Sequence, residues 1–221
     1  MSCELTQARN ELAKRMAAEE GQGSKWKRIS ELKSNIRMVE REVEKTIELV
    51  RNKGTYWRLL GLKYMDYKMW KEAASAFEEA IDIYPESAFL LYNRALSLGQ
   101  LSRLADTQEQ KMAYLLRARE GYKQAISIEP RFTPAMYALA VLLVFEFEEP
   151  LEAQILLEDY LEIERGDINA RFLLARTHVE LNNNVDALRL YEEISNIARN
   201  EDDIRKADEL YRIVESGVYE Q

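Results

Sequence analysis

The chain is poor in the residues that most chemistry needs. It has one histidine, one cysteine, four prolines and eight glycines in 221 residues. One histidine, His178, excludes a two-histidine metal box, and one cysteine, Cys3, excludes an intrachain disulfide. No glycine-rich phosphate loop and no cysteine pair is present. No run of 18 apolar residues occurs, so no membrane span is expected. The first twenty residues are charged throughout and lack the apolar centre of a secretory leader. A lipid on Cys3 would need a leader ahead of it, and the expected location is cytoplasmic. Positive charge is also short: a net charge of −8 argues against general nucleic-acid binding, in which phosphate neutralisation dominates. Few prolines and glycines disfavour β-rich and disordered chains.

What remains is helical material, 47% hydrophobic and 32% charged. The charge is uneven. Residues 1–53 hold 12 of the 31 Lys and Arg and 9 of the 39 Asp and Glu, leaving the front about +3 and the rest about −11. Leu5, Ala8, Leu12 and Met16 predict a short amphipathic helix over 4–20, and Gly21-Gln22-Gly23-Ser24 predicts a break after it. Over 25–53, Ile29, Leu32, Ile36, Val39, Val43 and Val50 recur at spacings of 3, 4, 3, 4 and 7, with Thr46 in the one polar slot. That is a heptad seam. It suits a helix docked on the structure that follows, a self-association helix, or one lying in a groove of the same chain.

From Gly54 the pattern changes. Trp57-x-x-Leu60-Gly61-x-x-Tyr64 is followed by Ala73-x-x-x-Phe77, Ala80 and Pro85. Trp57, Leu60 and Tyr64 fall on one face of a first helix. Gly61 and Ala73 are small where two antiparallel helices would meet, and Pro85 ends the second. This arrangement resembles the tetratricopeptide repeat, with every signature slot filled. Related repeats follow: Leu91 to Leu98 with Ala118, Tyr122 and Ala125; Ala140 with Ala153 and Leu157; Ala175 with Ala187 and Tyr191. The expected boundaries are 54–87, 88–132, 133–166 and 167–200, with a capping helix in 201–221 carrying Ile204, Ala207, Leu210, Tyr211 and Val214 inward. The second repeat has 45 residues from Pro85 to Pro130, against the usual 34. The extra eleven make three helical turns nearly in phase. With Thr107-x-x-Gln110 as a capping box, they predict one long helix over about 107–128. Met112, Tyr114 and Leu115 would lie on its added length. Tyr160 stands where a small residue is usual, which predicts looser packing in the third repeat.

The resemblance implies an all-α fold, a right-handed superhelix (α-solenoid), with a concave groove lined by the first helix of each repeat. Residues free of packing duty there are Arg58, Leu62, Met65, Phe89, Tyr92, Asn93, Leu96, Tyr137, Val141, Val144, Phe145, Phe172, Arg176 and Val179. Most are apolar, and a groove so lined should be covered by a peptide segment of a protein partner. Phe89, Tyr92, Tyr137, Phe145 and Phe172 are the expected anchors. Relatives that clamp acidic chaperone tails use basic and Asn slots; Arg58 and Asn93 match, whereas Leu62, Pro134 and Ala138 do not. The chain is also similar to the small acidic helical chaperones of type III secretion. The expected function is a non-enzymatic adaptor without cofactor or metal, and the rival is a scaffold that self-assembles through Ile29, Leu32, Ile36, Val39, Val43 and Val50. His178 falls in an aromatic packing slot, so packing is its expected role. Glu146, Glu148 and Glu149 are expected to be solvated turn residues.

Overall fold

A computed structural model describes residues 2–217. Its elements are α1 (Ser2–Asp66), α2 (Trp70–Ile81), α3 (Ala88–Ser102), α4 (Gln108–Ile128), α5 (Thr133–Leu142), a π-helical segment (Leu143–Phe147), α6 (Pro150–Ile163), α7 (Ile168–Glu180), α8 (Asn184–Ile197) and α9 (Glu201–Glu215). No strand occurs among the described residues. The chain divides into two units, Met1–Asn52 and Lys53–Gln221.

In the first unit the expected break at Gly21 to Ser24 is absent, and α1 continues through it. Each glycine weakens a helix by about 1 kcal/mol relative to alanine but does not forbid it. No proline precedes Pro85 to stop the helix. The side chains of Leu5, Ala8 and Leu12 lie outside the described residues, and Met16 is exposed.

The second unit is a row of helix pairs, each packed on the next: the last turns of α1 with α2, α3 with α4, α5 with α6, and α7 with α8. Small residues set the close approaches. Ala73, Ala95, Ala118, Ala140, Ala153, Ala175 and Ala187 are fully buried. A Cβ on Gly61 would lie 2.8 Å from the fully buried Phe77 ring, so only glycine lets the two helices meet there. Trp57 and Tyr64 pack on the Phe77 cluster, but Leu60, expected beside them, is 37% exposed at the edge of that face.

Three of the four turns within pairs share one device. Lys68, Glu148 and Asn182 take left-handed backbone (φ 58°, 54° and 60°), and α2, α6 and α8 each start two residues later. At the first, Lys68 N–H donates to Met65 O (2.9 Å) and Met69 N–H to Tyr64 O (2.9 Å). Asn182 and Asn183 repeat this with Val179 O and His178 O. These bonds satisfy carbonyls that the helix end would leave free.

The second pair replaces that turn with a longer connection. Thr107 caps α4, its hydroxyl accepting from Gln110 N–H (3.2 Å). The 21-residue α4 buries Leu115, Ala118, Tyr122 and Ala125 in one unbroken stripe, so the added turns stay in phase. Leu115 is fully buried in the main core, and Met112 and Tyr114 are half-buried.

Two expectations about side chains are corrected. Tyr160 does not loosen the third pair: it is buried, and its hydroxyl donates to Asp167 Oδ2 at 2.7 Å. The other oxygen of Asp167 accepts from Ala170 N–H (3.1 Å) and caps α7, so one carboxylate ties α6 to the next helix. Of the three acids after Val144 expected to be solvated, Glu148 is exposed as expected, whereas Glu146 and Glu149 are ion-paired. Glu146 pairs with Lys111 (2.7 Å), Glu149 with Arg119, and Glu152 with both Arg119 (2.9 Å) and Lys123 (2.7 Å). Lys111, Arg119 and Lys123 share one face of α4, and their partners stand about thirty residues away in sequence. The bond to Lys123 leads in holding the Glu152 carboxyl below its usual range, and the bond to Glu149 leads in raising Arg119.

The closing helix α9 buries Ala207 and Val214 and packs Leu210 and Tyr211 against the core. It covers the end of the array, where a stacked repeat would otherwise expose its seam.

Candidate functional site

The most developed concavity of the second unit is built from helix faces. Tyr92, Leu96, Gly99 and Arg103 follow one another at spacings of 4, 3 and 4 along α3 and its end, which places them on one side. Pro134, Tyr137, Ala138 and Val141 do the same on α5, and Phe145 extends that row from the π-helical segment. These residues, with Tyr122 and Tyr160 behind them, line a cavity of about 770 Å³. A second cavity of about 350 Å³ shares Tyr137, Val141 and Phe145, and is completed by Phe172 and Arg176 of α7 and Lys206 and Leu210 of α9. The two cavities adjoin along these three shared residues, and together they make up the trough of the second unit, reaching from α3 to α9.

Aromatic contacts fix its walls. The Tyr92 ring meets Phe132 edge-on at 5.6 Å and Tyr122 at 5.9 Å, and Tyr137 meets Tyr160 at 5.6 Å. Burial raises the phenol pKa of Tyr92, Tyr122, Tyr137 and Tyr160, and the bond to Asp167 adds to the rise at Tyr160. All four therefore present neutral hydroxyls at neutral pH. Two cations lie on ring faces: the Arg176 guanidinium 4.5 Å from the centre of Phe145, and the Lys206 ammonium 4.5 Å from the centre of Phe172. Arg176 also donates to Glu180 at 2.8 Å.

The π-helical segment gives Phe145 its place. Its wider turn ends at left-handed Glu148, where the N–H groups of Glu148 and Glu149 both donate to Leu143 O. Phe145 then stands half-exposed in the trough, while Phe147 lies under the Arg119 guanidinium at 4.8 Å. Such single-turn insertions are frequent at functional sites.

Of the fourteen residues expected to face a groove, seven line the trough: Tyr92, Leu96, Tyr137, Val141, Phe145, Phe172 and Arg176. Asn93 and Val144 are instead buried, Asn93 Nδ2 donating to Phe89 O at 2.7 Å. Val179 packs on the core, and Leu62 and Met65 pack beside Phe77. Phe89 is 39% exposed but lines neither cavity, and Arg58 lines a separate hollow beside Tyr84 and Pro85. Phe172, named as an anchor, is only 8% exposed and lies 6.4 Å from the Tyr191 ring, so it belongs partly to the core. Among the lining residues outside that expectation are Arg103, Tyr160, Lys206 and Leu210. Two come from the closing helix, which repeat spacing assigns to capping alone.

His178 is buried within α7, and its Nδ1 has no hydrogen-bond partner among the described residues. No cluster of metal-ligating side chains occurs among the described residues, and no described helix is long and apolar enough to cross a membrane.

Comparison with known proteins places the fold. Residues 144–208 match the tetratricopeptide repeat family model. No curated protein sequence matches the chain. Among solved structures, a thermophilic tetratricopeptide repeat protein of Thermus thermophilus is similar at 18% identity, with a TM-score of 0.57 over 77% of this chain and 86% of that one. MamA residues 41 to the end from Desulfovibrio magneticus RS-1 is similar at 15% identity and a TM-score of 0.56, over 74% of this chain and 94% of that one. The first tetratricopeptide repeat domain of human RPAP3 is similar at 20% identity and a TM-score of 0.51, over 60% of this chain and 95% of that one. With small residues at each crossing and helix pairs stacked in chain order, these likenesses show a tetratricopeptide-repeat fold, and residues 144–208 match that family's own model.

Proposed function

We propose that the second unit is a non-enzymatic protein-interaction module, and that its trough holds an amphipathic helical segment of another protein. The carrying observation is the continuous lining of Tyr92, Leu96, Tyr137, Val141 and Phe145, which places aromatic and aliphatic side chains side by side at an open concavity. A helix is the favoured guest because it satisfies its own backbone while its side chains bury apolar area. Arg176 and Lys206 stand at the α7–α9 end, so the guest's acidic side belongs there.

The test uses 18-residue helix-forming peptides with Leu and Phe along one face, with or without Glu on the flank. Their affinity is read by fluorescence anisotropy. Phe145→Ala removes a half-exposed ring and leaves the core intact, so the melting temperature should hold. It is expected to weaken the acidic-flanked peptide about tenfold or more, as aromatic anchors do. Lys206→Ala should weaken that peptide and spare the uncharged one. Equal affinities for wild type and Phe145→Ala would remove the trough from this reading.

A further inference from the structure

A different surface carries an inference independent of the trough. Along residues 29–50 of α1 the heptad side chains are open to solvent: Leu32 is 55%, Ile36 56%, Val39 58% and Val43 51% exposed, and Ile29 and Val50 are exposed beside them. The one polar member, Thr46, donates its hydroxyl to Glu42 O at 2.8 Å, so it asks nothing of a partner and can sit in an apolar layer. A stripe of this length is a seam for a second helix.

The flanking charges choose what that helix is. With Ile29 at heptad position a, the e positions within 28–50 are Lys33, Glu40 and Ile47, and the g positions are Arg28, Asn35, Glu42 and Leu49. In a parallel pair each g residue meets the e residue five places on. Arg28 would then meet Lys33, Asn35 would meet Glu40, and Glu42 would meet Ile47, with no attractive contact. In an antiparallel pair e meets e and g meets g. The register that sets Ile36 against Val39, Leu32 against Val43 and Ile29 against Thr46 brings Lys33 within two residues' rise of Glu40, and two-fold symmetry does so twice. Sliding one heptad toward the C-terminus sets Glu40 against its own copy. Charge therefore selects both direction and register.

We infer that residues 28–50 form a two-stranded antiparallel coiled coil with a second copy of this chain, Ile36 lying against Val39 of the partner subunit and Lys33 against Glu40 of the partner subunit.

Sedimentation equilibrium and light scattering of the full chain test this, with far-UV circular dichroism checking that helix content is kept. The wild type is expected to be a dimer and Ile36→Asp a monomer. Lys33→Glu and Glu40→Lys each turn two attractive contacts repulsive and should weaken the dimer roughly tenfold. The double variant Lys33→Glu/Glu40→Lys restores opposite charge and should recover wild-type affinity. Lys33 and Glu40 lie seven residues apart on one helix, so a contact within the helix cannot mimic that recovery. A monomeric wild type, an assembly larger than a dimer, a dimer indifferent to Ile36→Asp or to the charge changes, or single-variant losses that the double variant does not repair would each overturn the inference.

Discussion

Gly61 and Gly99 both sit inside helices, and their surroundings give opposite expectations. A methyl at Gly61 meets the fully buried Phe77 ring at 2.8 Å, whereas at Gly99 the nearest atom is the Tyr122 hydroxyl at 3.8 Å. Gly61→Ala should lower stability by about 1–3 kcal/mol through overpacking. Gly99→Ala should raise it by about 0.5–1 kcal/mol through helix propensity, both read from urea unfolding. Tyr160 offers a second test. Its hydroxyl bonds the Asp167 carboxylate, so Tyr160→Phe should cost about 1.5–3 kcal/mol. Its raised pKa also has a sign. The folded chain keeps a phenol proton that the unfolded chain releases near pH 10, so stability is full below pH 10 and falls as pH rises above it. Tyr122 acts in the same direction. A melting curve against pH should fall less steeply above pH 10 in Tyr160→Phe than in wild type. Sequence showed Gly61 and Phe77 plainly, because both fill fixed slots of a repeat. It misread Tyr160, since the partner that makes a large side chain welcome there is a capping carboxylate seven residues on.

At the scale of elements, the turns carry a local cost. Lys68 and Glu148 hold left-handed backbone that a side chain disfavours by about 1–2 kcal/mol. Lys68→Gly and Glu148→Gly should each stabilise the fold by about 1 kcal/mol, the lost entropy of glycine offsetting part of the gain. Asn182→Gly should gain less, since asparagine tolerates this conformation. Thermal unfolding of the three variants checks the order. The long α4 was legible because an eleven-residue insertion keeps helical phase and Thr107 marks its start. The π-helical turn after Leu142 was not, because nothing in Leu143 to Phe147 distinguishes it from the α-helix before it. The ion pairs of Lys111, Arg119 and Lys123 were hidden for a different reason: their partners become neighbours only after α5 and α6 have packed.

For the whole molecule, the repeat pattern disclosed the stacked pairs, and half of the fourteen residues it assigned to a groove line the trough. What it could not disclose was curvature. The same helix face holds Tyr92, which lines the trough, and Phe89, which does not, and only the packed array separates them. The closing helix likewise does two jobs, sealing the last seam with Ala207 and Val214 while setting Lys206 over Phe172. Where a guest peptide lies is decisive, and side-chain NMR reads that directly. With ¹³C-labelled aromatic and methyl groups, titration of the acidic-flanked amphipathic peptide should shift Tyr92, Tyr137, Val141 and Phe145 and leave Trp57 and Phe77 unmoved. Shifts confined to Trp57, Phe77 and the hollow beside Pro85, with the trough resonances unchanged, would contradict it.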